Sequence, residues 1–173
     1  MLTKEQIELV TTTVPVLREH GVALISHFYK RMLSHNPELM QVFNMGHQRA
    51  SFQQQALAGS VLAYAENIEN LKPLLGAVAH IANKHVSVGI RAEHYPIVGK
   101  HLIASIKDVL GEAATPELID AWTAAYTRLA DILIGAEKNI YDKNAVVEGG
   151  WTGWRFFKVA EKSKQTNDIT SFK

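Results

Sequence analysis

His85 is the residue of this sequence whose type and position most clearly indicate chemistry. It follows Leu74 by 11 residues, which places the two within roughly 20° of each other around a helix of 3.6 residues per turn. An imidazole on an otherwise apolar helical face needs a partner, because an unpaired buried polar group is costly. The ring is therefore either a core histidine bonded to a backbone carbonyl or a ligand of a metal or cofactor.

Two further polar residues lie on helical faces that otherwise consist of core residues. Tyr29 follows Phe28, and Gln53 precedes Leu57 by one helical turn. Phe43 taken alone is a core aromatic, and no zinc motif such as HExxH occurs. These residue types indicate a helical domain that holds a metal or cofactor through histidine. A helical interaction module without a cofactor is the alternative.

The composition excludes several classes of protein. The 173 residues contain no cysteine, which excludes disulfides, thiolate nucleophiles, iron–sulfur clusters and covalently attached c-type haem. The 18 basic and 17 acidic side chains leave a net charge of +1, so no bulk field attracts nucleic acid or acidic membranes. The N-terminus is charged and no apolar run reaches membrane-spanning length. We expect a cytoplasmic protein that binds no nucleic acid and has no stable membrane anchor.

The apolar period is helical through about residue 142 and predicts an all-α fold. Thr3 and Gln6 form a capping box ahead of a first helix that is expected to be kinked or shortened at Pro15 and closed by Gly21. The remaining helix-start and helix-stop residues predict six more helices: one to Asn36-Pro37, a short one from there to Asn44-Met45-Gly46, one from Ser51, one from Pro73 to Gly89, one from Tyr95 to Gly111, and one from Thr115.

The pattern changes after the last of these helices. Gly149-Gly150 is typical of a linker, and the aromatic and β-branched residues 154–159 predict a strand. A second strand is predicted at residues 169–172. Because two short strands do not form a stable domain by themselves, we expect residues 148–173 to be a linker and the start of a β domain that is not contained in this chain.

Six stretches of the sequence carry a family resemblance: His27-Phe28-Tyr29-Lys30-Arg31-Met32, His35-Asn36-Pro37-Glu38-Leu39, Val42-Phe43-Asn44-Met45, Tyr64-Ala65-Glu66-Asn67-Ile68, Ile81-Ala82-Asn83-Lys84-His85 and Tyr95-Pro96-Ile97-Val98-Gly99. On these stretches, the chain resembles the globin domain of bacterial flavohaemoglobins, and the related single-domain bacterial haemoglobins, over residues 1–147. The tail from Gly149 to Arg155 is similar to the entry of the flavin-binding barrel of a flavohaemoglobin. The resemblance implies the globin fold, a three-over-three helical sandwich.

On the proximal side, the resemblance implies that His85 ligates the iron of haem b. Tyr95 and Glu137 match the pair that hydrogen-bonds this histidine, and Lys84 matches a position that influences redox potential. A carboxylate partner would increase electron donation from the imidazole to the iron, which favours activation of O2 over storage. From the residues alone, Glu137 is also compatible with a solvated position near the end of the last helix.

On the distal side, the resemblance implies that Phe43 packs against the porphyrin and that Leu57 closes the ligand pocket. Tyr29 and Gln53 would approach the bound gas, where a phenol donor stabilises developing negative charge. The candidate catalytic residues are therefore Tyr29, Tyr95 and Glu137. The candidate haem-binding residues are Phe43, Gln53, Leu57, Lys84 and His85.

The function that these expectations favour is nitric oxide dioxygenation, the conversion of NO and O2 to nitrate. In full flavohaemoglobins the electron comes from NAD(P)H through FAD, so this chain is expected to turn over once or to need a reductase domain or protein. The expected small ligands are O2, NO and other diatomic gases. Contact with a lipid inside the haem pocket is also compatible with these expectations. The alternative is an O2-binding haemoglobin for storage, delivery or sensing.

Overall fold

The computed structural model describes residues 1–41, 43 and 51–173, and the fold of these residues is almost entirely α-helical. The predicted all-α class is confirmed. None of the helices in the described part of the chain is long and apolar enough to cross a membrane. The α-helices are α1 (Lys4–Thr12), α2 (Val14–His35), α3 (Phe52–Glu66), α4 (Leu75–Ser87), α5 (His94–Leu110) and α6 (Pro116–Val146), with 3₁₀ turns at Pro37–Gln41, Lys72–Leu74 and Gly111–Ala113.

The beginning of the chain agrees with the prediction except at Gly21. The Thr3–Gln6 capping box is present, and the first helix is shortened as expected: it ends at Thr12, and a new helix starts at Val14 with Pro15 in its first turn. Pro15 thus begins a helix, where its missing N–H costs nothing. Gly21 does not close a helix: it is buried inside α2, where a Cβ would lie 3.6 Å from the Cβ of Ala58 on α3. The small residue permits close packing there.

The segment after α2 begins as predicted and then adopts a tighter helix. Asn36 ends α2, and its side-chain amide donates to Glu38 Oε1 at 2.9 Å. The turn that starts at Pro37 is a 3₁₀ helix, and the amide of Phe43 donates to the carbonyl of Leu39 at 3.1 Å. Val42 and the predicted helix end at Asn44-Met45-Gly46 lie outside the described residues.

Two apolar clusters hold the helices in place. The larger cluster is centred on α2, which packs against α3 and α5 and contributes the fully buried side chains of Ile25, Phe28 and Met32. Burial of such side chains supplies most of the favourable free energy of folding. The smaller cluster contains Tyr95, Leu133 and Ile90, the last from the segment that follows α4. It therefore joins the end of α4, the beginning of α5 and the interior of α6.

The internal contacts divide the chain into two units, residues 1–141 and 142–173. The assignment of a globin domain to residues 1–147 and of a barrel entry to residues 148–173 stays a prediction.

Within the second unit, the strand predicted at residues 169–172 is confirmed as β2 (Thr170–Phe172), but its partner is β1 (Lys162–Lys164). The strand predicted at residues 154–159 is wrong, since no strand is assigned to those residues. Turn chemistry explains the difference. Thr166 Oγ1 accepts the amides of Asp168 and Ile169 at 3.3 and 3.1 Å, which closes a tight turn. Because a tight turn sets the register of a hairpin, the polar residues immediately before it form the strand that pairs with β2.

Candidate functional site

The histidine singled out by the sequence lies near the end of α4, on the side that faces α6. His85 Nδ1 lies 2.7 Å from Glu137 Oε1 on α6 and 3.2 Å from Tyr95 Oη on α5. Because a carboxylate accepts, Nδ1 carries the proton and donates it to Glu137, and Nε2 keeps the lone pair. Three helices thus present one imidazole nitrogen for coordination. The alternative of a core histidine bonded to a backbone carbonyl is wrong for Nδ1.

Glu137 is the buried centre of this network. Its residue exposure is 2%, and its Oε1 also accepts the phenol proton of Tyr95 at 2.5 Å. The alternative of a solvated Glu137 is therefore wrong. Burial, and next the hydrogen bond to Glu137, raise the pKa of Tyr95 far above its ordinary range. The phenol consequently stays protonated at neutral pH and remains a donor to the carboxylate.

Tyr126, which the sequence did not indicate as a site residue, forms a hydrogen bond to the backbone of Tyr95. Tyr126 Oη on α6 donates to the backbone carbonyl of Tyr95 at 2.6 Å. Its ring lies directly over Gly99, where an added Cβ would be only 2.5 Å from Tyr126 Cε1. Glycine at position 99 is what allows the ring to approach α5. The sequence shows only a glycine one turn after Tyr95, and that this glycine faces Tyr126 depends on the packing of α5 against α6.

The predicted distal residues lie on α2, on α3 and between them. Tyr29 is 5% exposed, and its ring meets that of Phe43 edge-on at a centroid separation of 5.7 Å. Gln53 and Leu57 lie one turn apart near the beginning of α3, and Leu57 packs against the main apolar cluster. The structure therefore brings Tyr29 and Phe43 together. It places Gln53 and Leu57 on a common face.

The residues present fit a haem in two respects. The side chain of His85 is 32% exposed although that of Glu137 is only 3% exposed, so the ring is anchored at Nδ1 and accessible elsewhere. Gln53 Oε1 is buried and has no hydrogen-bond partner within the described part of the chain, as expected of a group that awaits a ligand. Neutral imidazole is a good iron ligand. Lys84 is exposed beside His85 and takes no part in the network around Glu137.

Comparison with known proteins identifies the class. The Globin family model matches residues 26–133, and this chain belongs to the globin family. Membership of this family supports the binding of haem and oxygen. Within that family, the chain is 62% identical over 172 residues to the flavohemoprotein of Bordetella pertussis, an alignment that covers 99% of this chain and 43% of that protein. The resemblance to the globin part of flavohaemoglobins is confirmed, and the chain spans less than half the length of these relatives.

Solved structures show the same fold. A flavohemoglobin from Malassezia yamatoensis with bound FAD and heme superposes with a TM-score of 0.79 at 30% identity, over 99% of this chain and 44% of that one. An engineered carbene transferase, described as a putative nitric oxide dioxygenase from Rhodothermus marinus, gives a TM-score of 0.78 at 34% identity. That match covers 83% of this chain and 98% of the other. The expected globin fold is thereby confirmed.

Proposed function

We propose that this chain is the haem b-binding globin part of a nitric oxide dioxygenase. The observation that carries the proposal is the hydrogen bond of 2.7 Å between His85 Nδ1 and the buried carboxylate of Glu137. When bound through His85, haem b would supply the iron at which O2 and NO combine, with one electron, to give nitrate. The names of the flavohemoprotein relatives and of the Rhodothermus protein support this reaction.

The proximal residues set how strongly His85 donates to the metal. A histidine whose N–H is held by a carboxylate is more basic than one held by a backbone carbonyl. Glu137 would therefore increase electron donation through the imidazole, which favours O2 activation over simple storage. Tyr95 would orient the shared carboxylate oxygen, because its phenol donates to the atom that accepts from His85.

The distal residues would hold and polarise the gas. The phenol of Tyr29 is the donor best suited to developing negative charge in an apolar site. The side-chain N–H of Gln53, whose Oε1 is buried without a partner in the described part of the chain, would donate to the same ligand. Phe43, which packs edge-on against Tyr29, would contact the porphyrin face, and Leu57 would limit access to the gas site. An amide side chain is a poor iron ligand, so Gln53 would leave the iron free to bind O2 or NO.

The electron needed for each further turnover would come from a flavin reductase. Residues 148–173 would then be the linker and the entry to an FAD-binding barrel, in agreement with the 43% coverage of the flavohemoproteins. FAD and NAD(P)H would bind to the reductase part of such a protein and not to the globin part. Lys84, exposed beside His85, would influence the potential of the haem during this transfer. We place the protein in the cytoplasm.

The test separates an enzyme from an oxygen carrier. The haem-loaded, oxygenated chain is mixed with NO in a stopped-flow instrument, and nitrate is measured with and without an added flavin reductase and NADPH. We expect one nitrate per haem without reductase, many per haem with it, and slow O2 dissociation. Fast O2 dissociation without any turnover in the presence of reductase would reject the dioxygenase and leave the O2-binding haemoglobin. Absence of a Soret band after loading would reject both.

A further inference from the structure

The end of α4 is closed by a backbone motif in which His85 itself takes part. Gly89 adopts a positive φ of 79°, which glycine reaches without strain. The amide of Ile90 donates to the carbonyl of His85 at 3.0 Å, and the amide of Gly89 donates to the carbonyl of Val86 at 3.1 Å. This is a Schellman cap. The position of His85 is therefore tied to the position of Ile90.

The same cap is attached to α6 by a second tyrosine. Tyr141 Oη donates to the backbone carbonyl of Ile90 at 2.7 Å. Tyr141 follows Glu137 by four residues, so the two side chains leave α6 from the same face one turn apart. Glu137 holds the imidazole of His85, and Tyr141 holds the backbone segment to which the carbonyl of His85 is bonded. The helix that carries the carboxylate thus contacts the end of α4 twice.

A cation keeps the ring of Tyr141 in place. The guanidinium carbon of Arg91 lies 3.9 Å from the centroid of that ring, within the range of a cation–π contact. Burial raises the pKa of Tyr141 in spite of the opposing charge of Arg91, so the phenol remains a donor. Arg91 follows Ile90 directly, and the cap therefore contributes both the acceptor and the cation.

We propose that Tyr141, supported by Arg91, is a positioning residue for His85. Its hydrogen bond to Ile90 fixes the distance between the end of α4 and α6, and this distance sets the bond between His85 Nδ1 and Glu137. His85 lies only two residues before the end of its helix, where helices fray. Without the attachment, the bond to Glu137 lengthens in part of the population. The inference rests on the proposed function only in taking His85 as the iron ligand.

Hydrogen exchange measures the attachment without reference to activity. The variant Tyr141→Phe keeps the ring and removes the hydroxyl. Its control is Tyr64→Phe, which removes a hydroxyl that likewise donates to a backbone carbonyl, that of Ala125 at 2.9 Å. Tyr64 is buried and Tyr141 is half-buried. In the full chain we expect the amide of Ile90 to exchange faster in Tyr141→Phe and to be unchanged in Tyr64→Phe. Equal protection of this amide in both variants would overturn the proposal.

The iron–histidine stretching band of the ferrous, haem-loaded chain reports the bond to Glu137 directly, because that bond sets the basicity of the imidazole. We expect a broader band at lower frequency in Tyr141→Phe, a smaller shift in the same direction in Arg91→Gln, and no shift in Tyr64→Phe. An unchanged band in Tyr141→Phe, or an equal shift in the control, would contradict a positioning role.

The two measurements separate this inference from the proposed function. If the unmodified loaded chain shows no iron–histidine band, ligation by His85 is wrong, while the exchange of Ile90 still decides whether Tyr141 holds the end of α4. If the band is present and responds as expected but no nitrate forms, the positioning role stands and the dioxygenase fails.

Discussion

The imidazole of His85 and the carboxylate of Glu137 form a hydrogen bond of 2.7 Å between residues that are 52 positions apart in sequence. Glu137 is buried within the second half of α6, and its Oε1 receives a second hydrogen bond from Tyr95. A carboxylate held in this way has little freedom to leave the imidazole. The strength of this one bond is therefore the property on which the proximal side of the site depends.

Replacing the carboxylate by an amide tests that dependence. In Glu137→Gln the acceptor loses its charge, and charged acceptors bind roughly twice as strongly as neutral ones. We expect turnover with an added reductase to fall about tenfold or more, in line with other partners of metal-bound histidines, and the iron–histidine band to shift to lower frequency. The reductase-coupled nitrate assay and resonance Raman spectra provide the two measurements. Unchanged values in both would show that Glu137 does not act on His85.

The distal phenol should control how long the gas stays bound. Tyr29→Phe removes the donor proposed for the developing negative charge, and hydrogen bonds to charged groups contribute about 1.5–3 kcal/mol. We therefore expect O2 to dissociate about 10- to 100-fold faster, measured by displacement with CO in a stopped-flow instrument. Tyr64→Phe, which changes another buried tyrosine, should dissociate O2 at the unmodified rate. A Tyr29→Phe protein with an unchanged rate would exclude this phenol from the gas site.

The close approach of Tyr126 to α5 makes position 99 intolerant of a side chain. In Gly99→Ala the new Cβ would lie 2.5 Å from Tyr126 Cε1, so the ring must move and its bond to Tyr95 weakens. We expect a loss of about 1–3 kcal/mol in the free energy of unfolding, as for other overpacked sites. The measurement is urea unfolding monitored by circular dichroism.

Gly59 on α3 is the matched control for Gly99. A Cβ there would have nothing within 4 Å, and its backbone is helical. Gly59→Ala should therefore stabilise the protein by about 0.5–1 kcal/mol, since alanine loses less conformational entropy in a helix. If the two substitutions change stability by the same amount and in the same direction, the steric explanation for Gly99 is wrong.

Alkaline pH should destabilise the protein through its buried phenols. Burial raises the pKa of both Tyr95 and Tyr126 above the ordinary value of 10.0. A group whose pKa is raised by folding contributes stability that is complete below its unfolded pKa and is lost as the pH rises toward the folded pKa. Between the unfolded and the folded pKa, each phenol lowers the free energy of unfolding by about 1.4 kcal/mol per pH unit.

We therefore expect the free energy of unfolding to be constant with respect to these phenols below pH about 9 and to fall above pH about 10. Urea titrations at increasing pH measure this. Ultraviolet absorbance of tyrosinate should rise together with unfolding. Smooth ionisation of all tyrosines near pH 10 in a protein that remains folded would contradict the burial of Tyr95 and Tyr126.

Much of the helical pattern was predictable from sequence because it is local. Helix ends at Asn36 and Gly111 depend on residues within one turn, and both were found where predicted. Gly21 was misassigned because a buried glycine between packed helices and a glycine that ends a helix have the same sequence signature. The contact with Ala58 on α3 separates the two cases, and it depends on a residue far away in the sequence.

The candidate site likewise combines local features that the sequence predicts with contacts between distant residues that it does not predict. Helical periodicity placed His85 on an apolar face, and the family resemblance named Tyr95 and Glu137 as its partners. The roles of Tyr126 and Tyr141 were not predicted, because each of them donates to a backbone carbonyl, and any residue provides such an acceptor. No residue type at the receiving position marks such a bond in the sequence.

Composition and periodicity by themselves determined an all-α chain without cysteine chemistry and with one histidine on an apolar face, since these properties depend on residue types and on contacts within a few turns. The tertiary structure decided which carboxylate meets that histidine, that the carboxylate is buried, and that α6 holds the end of α4 at two points. These relationships join segments about 50 residues apart. The packing of α4, α5 and α6 in three dimensions brings them within hydrogen-bonding distance.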